Sequence, residues 1–277
     1  MPNRIHRARD ANKDQTYFIW QIKKEQLDHI LFPVGEFQDK SAVRDYAQSK
    51  GLITSNKPDS QGLCFVGQTS LRQMLTQVLG TKVGSIVAVM SLQELDSIGI
   101  SISQSSTRIS LPTEVNGVIR YQVVLGQHDG AFLFTIGQRQ NLGLSNGPWF
   151  VSAIDIKQNL VFVCHNNWAQ ELDCSEIIVN DCNWHIDLQS QIKNQTETRI
   201  ENSKINLNCY CQVRYRSEAV ACQVELLDDL GTSVKVIFGQ PVRAIAVGQS
   251  AVFYDDNGML LGGGFINSKT QSITTNQ

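Results

Sequence analysis

Five short runs near the C-terminal end constrain the fold more than any other feature of this chain. Cys209 to Tyr215, Ala219 to Leu226, Val234 to Phe238, Ser250 to Tyr254 and Met259 to Ile266 alternate apolar and polar residues, the period of a half-buried strand. Turn signals at Asp228-Asp229-Leu230-Gly231 and Asp256-Asn257-Gly258 join some of them. Several short strands separated by Gly and Asp turns predict a small closed barrel. A strand places Cys209 and Cys211 on one face, where they pack as small apolar side chains rather than ligating a metal with Cys222. No metal site is expected.

Upstream the signals are mixed. Asn12 or Asp14 can cap a helix over Thr16 to Ile22, and Leu31-Phe32-Pro33-Val34-Gly35 ends that region. Ser41 can cap a helix over Ala42 to Ala47 that stops near Gly51, and a further helix runs from Ser70 to Leu79, ending at Gly80. Ile86 to Val89 and Ile119 to Val124 read as strands, with Gln93 to Thr113 a long loop or insertion between them. Asn146-Gly147 before Pro148-Trp149 is a hairpin signal, and Asp187 to Lys204 reads as a polar surface excursion.

Composition excludes some functions. A net charge of −2 and a pI near 6.2 give no global field favouring nucleic acid, so any RNA must meet local patches. Arg4, Arg7, Arg9 and Lys13, opposed only by Asp10, form one such patch, although a solvated charged terminus has the same composition. No apolar run suits a signal peptide or a bilayer span. Seven scattered cysteines, without an export signal, fit reduced thiols in the cytoplasm, or in an organellar matrix if the source is eukaryotic. No membrane partner is expected.

The stretch Lys57-Pro58-Asp59-Ser60-Gln61-Gly62-Leu63-Cys64-Phe65 is an irregular turn that delivers one cysteine into an apolar run. From the residues alone, Cys64 either packs or presents a reactive thiol. His128, between Gly126 and Gly130, is either a turn residue or a group reaching toward RNA, and Arg139 is a second candidate for RNA backbone. Strand alternation puts Arg214 and Arg216 on one barrel face and Tyr215 on the other, which fits an exposed strand face as well as a binding surface.

Several motifs occur together and in one order. They are D-x-x-K-D-Q-[ST]-Y-F at Asp10–Phe18, F-P-[LV]-G with K-x-x-V-R-x-x-A after it, and K-x-D-S-x-G-x-C-F at Lys57–Phe65. G-x-H-x-G and [FY]-T-I-G-Q-R follow between Gly126 and Arg139, then P-W-[FY]-V at Pro148. Val213-Arg214-Tyr215-Arg216, Gly248 to Tyr254 and Leu261-Gly262-Gly263-Gly264 complete the set. In these motifs the chain resembles the tRNA-specific 2-thiouridylases from about Asp10 to Ile266, with Ala246-Val247 standing where that family usually has Thr-Pro.

The resemblance implies sulfur transfer from a persulfide on Cys64 to C2 of the wobble uridine of tRNA, after ATP has adenylated the uridine oxygen. It implies tRNA contacts from Lys13, Asp14, Gln15, Arg214, Tyr215 and Gln249, with Lys13 on phosphate. The implied cofactor is ATP with Mg, and the implied partners are tRNA and a sulfur-relay or cysteine-desulfurase donor. The family's S-G-G-x-D-S phosphate loop does not occur, and no cysteine precedes Cys64. ATP is therefore expected to be bound by a part absent from this chain, such as a separate PP-loop ATP-binding chain.

The expected fold is α+β and multi-domain. Residues 1–67 would be a helical remnant of an α/β catalytic domain, 68–165 a small mixed central tRNA-binding domain, and 166–277 an antiparallel β-barrel. The alternatives are a non-catalytic tRNA-binding module or inactive remnant of the family, and an unrelated small-barrel protein of translation-factor type.

Overall fold

The computed structural model describes residues 4–58, 70–100, 113–115, 117–188 and 206–271. The chain divides into two compact units, Met1–Asp59 together with Cys174–Gln277, and Ser60–Asp173.

Residues 4–58 hold three 3-10 helices, Ala11–Lys13, Thr16–Phe18 and Lys24–His29, and one α-helix, α1 (Lys40–Ser49). The helix expected over Thr16 to Ile22 does not form. The Asp14 carboxylate accepts from both the backbone N–H and the hydroxyl of Thr16, closing a single short turn. Beyond it Tyr17, Trp20 and Leu27 are buried against the barrel rather than along one helix face. Asp39, not Ser41, caps α1, its carboxylate accepting from Ala42 N at 2.8 Å. The helix ends at Gly51, whose φ of +68° favours glycine.

The second unit opens with α2 (Leu71–Leu79), capped reciprocally by Ser70 and Gln73 and closed at Gly80, as expected. Then come β1 (Gly84–Met90), α3 (Leu92–Ser97), β2 (Thr113–Val115), β3 (Val118–His128), β4 (Trp149–Asp155) and β5 (Leu160–His165). The sheet order is β2-β3-β1-β5-β4, with β1 and β5 parallel and the other neighbours antiparallel. Ile86, Val123, Val151 and Val161 fill its core.

Two expectations fail in this unit. Part of the presumed loop after Gln93 is α3, started by Ser91 and Glu94 in a reciprocal cap and anchored by buried Leu95. Residues 101–112 of that stretch lie outside the described residues. Asn146-Gly147 precedes β4 without joining two strands, and the hairpin is instead β4–β5, turned just before Leu160 at Asn159 with φ +57°.

The C-terminal barrel is closed, in the order β10-β11-β6-β9-β8-β7. Its strands are β6 (Asp173–Trp184), β7 (Asn206–Gln212), β8 (Val220–Leu226), β9 (Val234–Arg243), β10 (Ser250–Tyr254) and β11 (Leu260–Gln271). Each of the five expected runs overlaps a strand, although the run from Cys209 to Tyr215 leaves its strand after Gln212, and β6 is the one not anticipated. Residues 189–205, most of the expected polar excursion, lie outside the described residues. Cys209, Cys211 and Cys222 are buried in the barrel core, with Cys209 Sγ 3.7 Å from Cys222 Sγ, so they pack as expected. Among the described residues no helix is long and apolar enough to cross a membrane.

The N-terminal segment is a second layer on this barrel. Ile5, Tyr17, Trp20 and Leu27 cover Val252, Tyr254 and Leu260, and Leu260 N donates to Ile5 O at 2.8 Å. The glycines of β11 make room for it, since a Cβ on Gly263 would stand 2.8 Å from Trp20 Cγ. Asn183 Nδ2 and His185 Nε2 both bond the carbonyls of Trp20 and Ile22, fixing the backbone as it leaves the barrel.

Candidate nucleic-acid interface

The surface is built from short polar turns. The Asp10 carboxylate accepts from Asn12 N at 3.0 Å and starts the turn that ends at Lys13. Asp14 starts the next one, its carboxylate also receiving Ala8 N at 3.4 Å and lying 4.0 Å from Arg7 Nε. With only 11% of its side chain exposed, Asp14 faces inward. Lys13 and Gln15, on either side of it, face solvent.

Gln15 Nε2 donates to Tyr215 Oη at 3.0 Å, joining two segments 200 residues apart. Tyr215 does not sit on a strand. β7 stops at Gln212, and Arg214 to Ser217 form a turn in which both Ser217 N and Ser217 Oγ donate to Arg214 O. Gln212 Nε2 donates to Ser217 O and Arg216 adopts a left-handed φ of +65°. The expected alternation of Arg214 and Arg216 against Tyr215 is therefore lost, because an extended strand cannot accommodate that turn. Arg214 is half-buried and donates to Ala244 O at 3.0 Å. Arg216 is exposed, its guanidinium 5.3 Å over the Tyr215 ring.

Gln249 leads into β10. Its backbone carbonyl accepts from Ile266 N at 2.8 Å, and its side-chain Oε1 is buried without a hydrogen-bond partner. Tyr17 connects it to the other segments, since its hydroxyl donates to Ser250 O at 3.0 Å and its ring lies 6.2 Å from that of Tyr215. Burial raises the Tyr17 pKa, so the phenol stays protonated and donates. Lys13, Asp14, Gln15, Arg214, Tyr215 and Gln249 thus belong to one compact unit, with Gln15 and Tyr215 bonded directly to each other.

A buried network beneath this surface escaped the sequence reading. Arg7 stacks 3.9 Å from the Tyr254 ring centroid and donates to Gln212 Oε1 at 3.0 Å. Tyr254 Oη lies 3.0 Å from Thr16 Oγ1, and burial pushes its pKa up to about 12. The basic N-terminal patch is accordingly smaller than its composition implies. Arg7 is turned inward, and Arg9 is paired with Glu36 at 2.9 Å. The signal for Arg7, a cation that a buried tyrosine needs for stacking, exists only in three dimensions.

His128 and Arg139 lie in the other unit. His128 is buried, its Nδ1 accepting from Gly130 N at 3.0 Å and its ring 5.3 Å from Phe134. Burial lowers its pKa and keeps it neutral, the arrangement of a turn residue. Arg139 is exposed.

Cys64 lies outside the described residues. The chain leading to it is held by α1, since Arg44 Nη2 donates to Lys57 O at 3.2 Å, a role that the sequence reading did not assign. Among the described residues no group of three or more His, Cys, Asp or Glu could hold a metal ion. Nor do the described residues of 4–58 fit ATP. They contain no Gly-rich loop between a strand and a helix, and the N-terminus of α1 is occupied by the Asp39 carboxylate.

Three family models match this sequence: a tRNA methyl transferase HUP domain over residues 2–68, a tRNA methyl transferase PRC-barrel domain over 110–165, and an aminomethyltransferase beta-barrel domain over 174–266. The chain is 33% identical over 263 residues to the tRNA-specific 2-thiouridylase MnmA of Mycoplasma mycoides, covering 94% of this chain and 59% of the relative. It is 34% identical over 264 residues to that of a Listeria monocytogenes strain, covering 95% and 58%. It is also 34% identical over 263 residues to that of Bacillus pumilus, covering 94% and 58%. The chain thus spans less than three fifths of the length of these curated relatives.

Proposed function

Because the chain belongs to the tRNA-specific 2-thiouridylase family, we propose that it grips tRNA on its barrel unit and carries the sulfur that replaces the C2 oxygen of the wobble uridine. The observation that carries this reading is the bond between Gln15 and Tyr215, which brings the Lys-Asp-Gln and Arg-Tyr segments onto one surface. Lys13 meets phosphate and Gln15 and Tyr215 supply polar contacts. Arg214 orients the turn through Ala244 O, and Gln249 is the remaining polar contact with tRNA. Asp14 acts from within by closing the turn beside Gln15, next to the turn that Asp10 starts and Lys13 ends. His128 shapes its loop, and Arg139 is a second contact with RNA backbone.

Cys64 is the sulfur carrier. The terminal sulfur of its persulfide attacks C2 once the uridine oxygen has been made a leaving group. A second thiol then attacks the Cys64 sulfur, leaving the transferred sulfur on C2 and forming a disulfide. The sulfane sulfur comes from a donor protein of the sulfur-relay or desulfurase kind, and the cytoplasm is the compartment that suits these thiols.

ATP supplies the activation, on a phosphate-cradling part of the same polypeptide or of another chain. Leu31 is 87% and Ile53 is 100% exposed in the stretch matched to the HUP model, which supports further polypeptide covering them.

The test is reconstitution with an ATP-pyrophosphatase polypeptide, tRNA and a persulfide donor, read as 2-thiouridine by mass spectrometry. Cys64→Ser is expected to abolish product while tRNA affinity is kept. Unchanged product would remove Cys64 from the chemistry, and unmodified tRNA with every component present would leave a tRNA-docking module.

A further inference from the structure

Phe18 stands out on the barrel unit. It is 54% exposed, although its neighbours Thr16, Tyr17 and Trp20 are buried. Its ring is 4.6 Å from that of Tyr215 and 5.4 Å from that of Tyr17, so it is held in place while one face remains open. An exposed aromatic that is fixed by other aromatics costs little entropy when a flat ligand stacks on it.

Arg216 is the second unexplained feature. Non-glycine residues rarely adopt a φ of +65°, and such strain persists only where surroundings impose it, often at binding sites. Here the imposed turn sets the guanidinium over Tyr215 at 5.3 Å, and apart from that ring no partner for it is present among the described residues. Its donors therefore remain free for an anion. Gln15 completes the group. Its Nε2 is bound to Tyr215 Oη, which orients the amide, and its Oε1 has no partner among the described residues.

We propose that Phe18, Tyr215, Gln15 and Arg216 form a seat for one unpaired nucleotide of the tRNA. This rests on the reading that the barrel unit binds tRNA, and it adds two residues, Phe18 and Arg216, with distinct tasks. The base stacks on Phe18, an N–H of its edge donates to Gln15 Oε1, and the adjoining phosphate meets Arg216. A stacked face, an edge acceptor and a cation are what recognition of a splayed-out nucleotide requires, whereas a duplex exposes no base face. The seat therefore selects looped over paired RNA.

The experiment uses the full chain and a fluorescent anticodon stem-loop, with a continuous duplex of the same stem as the comparison. Phe18→Ala is expected to weaken stem-loop binding about tenfold and to leave duplex binding unchanged. Phe18→Leu, which keeps the apolar bulk without a π-face, is expected to do the same, while Phe18→Tyr retains affinity. Arg216→Gly is expected to reduce the slope of log affinity against log salt by about 0.7, one single-strand phosphate, without lowering Tm, since glycine adopts this φ freely. Wild-type affinity in Phe18→Ala and Phe18→Leu, or equal loss for stem-loop and duplex, would overturn the seat while tRNA binding stood. A wild-type chain that ignores the stem-loop would overturn the tRNA reading itself.

Discussion

Gly263 has no room for a side chain because Trp20 lies directly on it. Gly263→Ala should therefore destabilise the barrel unit by about 1–3 kcal/mol, the range for overpacking, read as a lowered denaturant midpoint. The buried histidines make a different kind of prediction. Burial lowers the pKa of both His128 and His185, opposed for His185 by its bonds to Ile22 O and Trp20 O. As pH falls through about 6.5, the unfolded chain takes up protons that the folded chain refuses. Stability is thus complete above that value and declines below it, toward the lower folded pKa. Tm should be lower at pH 5.5 than at pH 7.5, and His185→Gln should narrow the difference. A gap of undiminished size in that variant would remove His185 from the account.

Among the elements, the N-terminal segment depends most on its surroundings. Among its described residues it has no sheet of its own, and α1 is the one α-helix, capped by a single carboxylate at Asp39. What orders residues 5–27 is burial of Ile5, Tyr17, Trp20 and Leu27 on β10 and β11, with Trp20 only 3% exposed. Trp20→Ala should cost about 3–5 kcal/mol and raise amide exchange across that segment. Exchange in the mixed sheet of the other unit should not change. This dependence also explains why a helix was expected where short 3-10 turns stand. Tyr17, Trp20 and Ile22 have apolar spacing that suits a helix, but the docking surface and the Asp14 turn fix their directions instead. Conversely, α3 was legible in Ser91 and Glu94, and was masked by the polar composition of the residues around it.

At the scale of the whole molecule, a net charge of −2 means that the proposed RNA affinity must come from a few placed groups. Lys13, Arg216 and Arg139 are the cations assigned to phosphate in the proposed contacts, so the salt dependence of binding should correspond to no more than about three phosphates. Arg9→Gln, which removes a guanidinium already paired with Glu36, should leave that slope unaltered. A much steeper slope would mean that RNA runs over a different surface.

The sequence by itself determined the barrel, the motif order that identifies the family, and the packing of Cys209 and Cys211. These follow from period-two alternation, turn residues and local spacing, which are properties of neighbours along the chain. Only the tertiary structure decided that Gln15 touches Tyr215, that Arg7 turns inward under Tyr254, that Asp14 faces its own backbone, and that Arg216 is held left-handed above an aromatic ring. Each of these depends on which surface a distant segment is pressed against, or on how a turn closes once β7 has ended. Burial of Ile5, Tyr17, Trp20 and Leu27 on the barrel sets those directions for the N-terminal segment, and local propensity is too weak to oppose it.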